Sequence, residues 1–167
     1  MASSLIITAE LGPADFAWLD RQRREYFPPE RNQLPAHLTL FHALPPSALE
    51  EVKQRLASLA CQSPPFASIS AVMNLGGGVA YRVSSPGLEA LREELATAFH
   101  GLLSAQDSAG WRPHVTIQNK VAPKIARTLF NQLEASFEPR PLALAGFALH
   151  EYLGGPWAPI GRWPFRG

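Results

Sequence analysis

Cysteine is nearly absent: Cys61 stands alone among 167 residues. A single cysteine excludes an internal disulfide and a cysteine-based zinc site. An excess of either charge is lacking too. Fifteen basic and fourteen acidic side chains leave a net charge of +1. That balance argues against a protein that coats nucleic acid through bulk charge, and leaves room for a small local phosphate site. No apolar run approaches the length of a membrane span. The opening segment "MASSLIITAEL" lacks the basic n-region and the apolar length of a signal peptide. The expectation from these absences is a cytoplasmic protein, off the membrane and monomeric. What is present is a 46% hydrophobic and 17% charged chain, the composition of a folded protein. Its length suits one compact domain or two small lobes sharing a core.

Short apolar runs alternate with helical patterns. Strands are predicted over Leu5 to Leu11, His37 to Leu44, Phe66 to Leu75, Val79 to Val83, His114 to Val121 and Leu142 to Leu153, with a last edge strand in "GGPWAPIGRWPF". Helices are predicted to open at Pro13, Pro46, Pro86 and Pro123, since proline is tolerated in a first helical turn. Leu49, Val52, Leu56 and Leu59 share one helical face, as do Ile125, Leu129 and Leu133. "SAQDSAG" (Ser104 to Gly110) reads as a polar loop. Gly76-Gly77-Gly78 reads as a hairpin turn; no Gly-Lys-Ser/Thr follows to make it a phosphate cradle.

One short pattern occurs twice. "PAHLTLFHALPP" (Pro35 to Pro46) and "RPHVTIQNKVAP" (Arg112 to Pro123) both contain His-x-Thr-aliphatic, and both reach a proline nine residues after the histidine. Each is preceded by a strand and a helix. The helices that follow match too: Leu49 with Ala126, Val52 with Leu129, Leu56 with Leu133. With five His and five Thr, about 0.04 such motifs are expected by chance, so two are a signal. This is an internal repeat of two supersecondary units, too few for a solenoid. Two halves packed around a pseudo-two-fold axis would set His37 and His114 on opposite sides of one cleft.

On a regular strand, residues i and i+2 share a face. That places His37, Thr39 and Phe41 together, with His42 opposite, and His114, Thr116, Gln118 and Lys120 together. In-line displacement at phosphorus needs a base on the attacking side and an acid on the leaving side. Histidine suits both near neutral pH. Threonine hydroxyls can donate to the non-bridging oxygens, Lys120 can add positive charge, and Phe41 can stack on a base. His37, Thr39, His114 and Thr116 are therefore the candidate catalytic residues. Phe41, Gln118 and Lys120 are the candidate substrate contacts. No metal and no cofactor is called for. His100, His150, Trp111, Trp157 and Trp163 read as ordinary packing or surface residues.

The pair His37-Leu38-Thr39-Leu40 and His114-Val115-Thr116-Ile117 resembles the signature of the two-histidine (2H) phosphoesterases, which include the bacterial 2′-5′ RNA ligase and 2′,3′-cyclic phosphodiesterases. The resemblance covers most of the chain and is loose outside the two motifs. It implies an α+β, bilobal, duplicated fold, with two antiparallel sheets lining a cleft and helices outside. It implies metal-independent opening of a 2′,3′-cyclic phosphate at an RNA or nucleotide end to a 2′-phosphate, or the related transfer to a 2′-5′ linkage. It also implies that His114 activates water and His37 protonates the leaving 3′ oxygen. Two rivals stand beside it. A binding module would grip the same RNA ends without chemistry. A metallohydrolase would use the histidines as ligands, although neither motif carries the carboxylate such sites add.

Overall fold

Proline opens three of the four long helices, and the strands between them carry the buried apolar residues of the core. The structure is a computed structural model and describes residues 3–167. In chain order it runs β1 (Ser4–Leu11), α1 (Pro13–Tyr26), β2 (Leu38–Leu44), a 3₁₀ turn at Pro46–Ala48, α2 (Leu49–Leu59), β3 (Ser68–Asn74), β4 (Val79–Ser84), α3 (Pro86–Ala98), α4 (Ala105–Ser108), β5 (His114–Gln118), α5 (Pro123–Ala135), β6 (Arg140–Pro141), β7 (Leu144–Tyr152) and β8 (Ala158–Pro164). Pro13, Pro86 and Pro123 occupy the first helical turn, where a missing N–H costs nothing. Ser85 adds a side-chain cap by accepting from the Leu88 N–H.

The strands form two four-stranded antiparallel sheets, ordered β2-β1-β7-β8 and β5-β4-β3-β6. The repeat is therefore β1-α1-β2-α2-β3 followed by β4-α3-β5-α5-β7. Each half gives its last strand to the other half's sheet: β3 pairs with β4, and β7 with β1. This exchange makes the halves inseparable, and one continuous core joins them. The first helix of each half crosses over as well. α1 packs on β5, and α3 reaches β2 through Arg92. No helix among the described residues is long and apolar enough to cross a membrane.

The hairpin at Gly76-Gly77-Gly78 is as expected: the Leu75 N–H donates to Gly78 O at 2.8 Å, and Gly76 takes a positive φ of 90°. Three expectations are corrected. The polar loop contains α4, and its Asp107 is buried. The strand from His114 stops at Gln118 rather than Val121. On α5 the inward residues are Ala126 and Leu129, while Ile125, one position round the helix from Ala126, is 54% exposed.

Candidate active site

The two motif strands are edge strands of different sheets, so their free faces can approach each other. They line one cleft of about 300 Å³, which holds His37, Thr39, His114 and Thr116 together with Trp111 and Arg112. All four motif side chains are half-buried.

The two imidazoles are held by the same device. The ring Nδ1 of His37 lies 2.8 Å from Pro35 O, and that of His114 lies 2.7 Å from Arg112 O. A carbonyl only accepts, so Nδ1 carries the hydrogen in each ring. Nε2 is then left as the working nitrogen of both histidines. In each case the acceptor sits two residues before the histidine, in the segment that enters the strand through a proline.

A second shared device follows each threonine. Between β1 and β2, Ile7 pairs with Phe41 and Thr8 with Thr39, leaving Leu40 as an extra residue. Between β4 and β5, Val79 pairs with Gln118 and Ala80 with Thr116, leaving Ile117 extra. These are matching β-bulges, which re-aim the side chains beyond them. Leu40 and Phe41 both turn into the core, as do Ile117 and Gln118. Two expected placements fail for this reason, and a third because β5 ends at Gln118. Phe41 is fully buried under the Arg92 guanidinium, 4.5 Å from its ring centroid, and offers no face to a substrate. Gln118 is buried, and its Oε1 has no hydrogen-bond partner among the described residues. Lys120 lies past the strand end, exposed, with a left-handed φ of 65°, and does not line the cleft. The bulge also brings His42 round to the cleft, against the expectation that it faces away.

His42 is fixed there by Asp107. Its ring Nδ1 lies 3.1 Å from Asp107 Oδ1, and the backbone N–H groups of His42 and Ala43 donate to the same carboxylate at 2.8–3.0 Å. Burial alone would push the Asp107 carboxyl up; the ring and backbone hydrogen bonds prevail and hold it below its ordinary value. Two buried arginines tie the halves together around the site. Arg23 of α1 donates to Leu34 O, Asn32 Oδ1 and Thr116 O at 2.8–2.9 Å. Arg92 of α3 donates to Leu40 O at 3.0 Å and Asp107 O at 2.8 Å. Trp111 Nε1 donates to Thr39 O at 3.1 Å. Asp107 and both arginines were missed by reading the sequence. Their signal is tertiary, since each acts on a residue distant along the chain.

His37 is covered by Trp157, whose ring meets it edge-on at 4.9 Å between centroids. Burial pushes His37 down to about 4, with the nearby Arg23 adding to the effect and the Pro35 carbonyl opposing it. His150 is lowered by burial as well. His37 and His150 thus bind protons less readily folded than unfolded, so the stability they supply is whole above pH 6.5 and drains as the pH falls toward 4, whereas the share of Asp107 is lost only at lower pH, below the ordinary carboxyl value. The expected result is a urea midpoint that drops between about pH 6.5 and 4.5, with a shallower drop in His37→Gln. Equal slopes in the two proteins would remove His37 from this account.

Among the described residues, no group of three or more His, Cys, Asp or Glu side chains converges to hold a metal ion.

Comparison with known proteins adds to this geometry. The family model of the 2′-5′ RNA ligase superfamily matches residues 11–156. A search of curated proteins finds no match. Among solved structures, TT0787 of Thermus thermophilus superposes with a TM-score of 0.67 at 18% identity, covering 98% of both chains. E. coli LigT complexed with 3′-AMP gives 0.62 at 18% identity over the whole of both chains. A structure described as a phosphoesterase gives 0.59 at 20% identity over 99% of each. At these identities the likeness is one of fold.

Proposed function

Since the chain belongs to the 2′-5′ RNA ligase superfamily of two-histidine phosphoesterases, we propose that it opens 2′,3′-cyclic phosphates at RNA or nucleotide ends to 2′-phosphates. The observation that carries this reading is the matched pair of imidazoles. Both are anchored through Nδ1 to a carbonyl two residues back, and both line one cleft with Thr39 and Thr116. With the phosphorus between them, one Nε2 takes a proton from water as its oxygen bonds to phosphorus. The other gives a proton to the 3′ oxygen as the P–O3′ bond breaks. The threonine hydroxyls donate to the non-bridging oxygens, where charge builds. A 5′-hydroxyl in place of water forms a 2′-5′ linkage by the same steps.

The resemblance assigns His114 as the base and His37 as the acid. One observation favours the reverse. His37, held at about 4, is a neutral imidazole in the unliganded cleft, and a neutral imidazole is the form that accepts a proton. With His37 as base, the acid limb of kcat/KM bends near pH 4. A limb at pH 6.5 or above returns His37 to the acid role.

The deciding experiment is turnover of a nucleoside 2′,3′-cyclic phosphate in the presence of chelator, with the product assigned as the 2′- or 3′-phosphate. Chelator-resistant formation of the 2′-phosphate is expected. Inertness toward this substrate and toward 2′-5′ oligonucleotides would overturn the reading in favour of a binding module, and a chelator-sensitive rate would favour a metallohydrolase.

A further inference from the structure

A third imidazole lines the cleft, and it is anchored differently from the other two. His37 and His114 each give Nδ1–H to a backbone carbonyl, a dipole without net charge. His42 faces a carboxylate, with Nδ1 3.1 Å from Asp107 Oδ1. An ionised carboxylate only accepts, so Nδ1 carries the hydrogen. Nε2 is left on the cleft side, with no partner among the described residues. The His42 side chain is 41% exposed and that of Asp107 1%, so an open ring stands on a closed support. The support is itself fixed. Asp107 N donates to Ser104 Oγ at 3.2 Å, and Asp107 O accepts from Arg92 at 2.8 Å. The repeat does not account for this pair. Asn119 follows His114 by five residues, as His42 follows His37, yet Asn119 does not line the cleft.

The difference in anchor matters once an anion enters. A neutral ring with its hydrogen on Nδ1 can only accept at Nε2. To donate there it takes a proton from solvent, and the carboxylate behind it compensates the new charge. The charged and titratable groups around His42 are Asp107 and Arg92 on its support, and His37, His114 and Arg112 along the cleft. Arg92 is occupied by the Leu40 and Asp107 carbonyls, whereas Arg112 is exposed. His42 also acts on the proposed reaction centre. Burial lowers the His37 ring most; among the neighbouring charges that add to this, Arg23 leads and His42 ranks ahead of His114.

We propose that His42, positioned by Asp107, is a third ligand-binding histidine, whose Nε2–H donates to a phosphate oxygen and selects dianionic over monoanionic phosphate. The inference rests on the phosphodiesterase reading above. A cyclic phosphodiester carries one negative charge, and the monoester it opens to carries nearly two at neutral pH. The dianion therefore has two possible sources. It is the monoester product, or it is a second phosphate carried by the substrate beside the reacting one.

Sulfate is the first probe, because it stays a dianion at neutral pH and its binding needs no turnover. In wild type, saturating sulfate should move the His42 Nε2 resonance to its protonated position while Nδ1 stays protonated; the ring is assigned by its loss in His42→Gln. Sulfate should bind His42→Gln about tenfold or more weakly, the scale of one charge-assisted hydrogen bond. Asp107→Asn should weaken it as well, with the ring still in place. Dimethyl phosphate, a monoanion, should bind wild type and His42→Gln alike. An unmoved His42 ring, or equal sulfate affinities in wild type and His42→Gln, would overturn the proposal, whether or not Asp107→Asn folds. Kinetics then separates the two sources. If the dianion is the product, His42→Gln should relieve inhibition by a nucleoside 2′-monophosphate and leave KM little changed. If it is a second phosphate, a 5′-phosphate on the cyclic nucleotide should lower KM about tenfold in wild type and not in His42→Gln. Neither effect in an active enzyme would also overturn the proposal. A protein that shows the sulfate response but turns over no cyclic phosphate would keep His42 as an anion-binding residue and lose the catalytic reading.

Discussion

His37→Ala and His114→Ala should each lower kcat/KM on a nucleoside 2′,3′-cyclic phosphate by roughly 10²–10⁴-fold, the usual contribution of one positioned acid or base. Neither replacement should cost much stability, since both rings are half-buried at the cleft and not part of the core. The double variant should be little slower than the worse single one. The two rings act on one transition state, and removing either proton carrier already forces water into that role. The pH profile should change with them. Wild type has two limbs belonging to the coupled pair, and each single variant should lose one. A single variant that retains full activity and both limbs would exclude its histidine from the chemistry.

Asp107→Ala should have the largest effect on folding. Asp107 is 2% exposed and receives the backbone N–H groups of His42 and Ala43 as well as the His42 ring. Removing the carboxylate strips two backbone donors of their partner, at about 1–3 kcal/mol each when no replacement is found. The site borders the cleft, so water can recover part of this, leaving a loss of about 2–4 kcal/mol. For a chain of this length that corresponds to roughly 5–15 °C in melting temperature. Asp107→Asn should fall between, because its amide keeps one accepting oxygen and loses the charge. Activity should fall with stability, because the carboxylate holds β2 just beyond the bulge that follows Thr39. A melting temperature within about 2 °C of wild type for Asp107→Ala would show that these hydrogen bonds are replaced at no cost.

The order of strands and helices was legible because proline, glycine and apolar periodicity are local signals. Pro13, Pro86 and Pro123 mark helix starts in the sequence and in the structure alike. The repeat was legible because its two copies kept the same spacing from histidine to proline. Strict alternation along the motif strands was not reliable past the threonines. A bulge is one unpaired residue, invisible unless the partner strand is known, and it reverses every face beyond it. For that reason Phe41 and Gln118, read as cleft residues, are core, and His42, read as facing away, lines the cleft. Lys120 missed the cleft because β5 ends two residues before it. Asp107 was hidden in a segment whose composition is that of a solvated loop; only its tertiary partners, His42 and Ala43, make it a buried anchor.

The amino-acid sequence by itself determined the duplicated α+β plan and the two His-x-Thr motifs, because hydrophobic period and motif spacing are written along the chain. The tertiary structure alone decided that β3 and β7 change sheets, that two bulges turn Phe41 and Gln118 inward, and that Arg23 and Arg92 each reach the opposite half. It also decided that Trp157 closes over His37. Each of these depends on contacts between residues far apart in sequence, and such contacts form only when the two halves pack together.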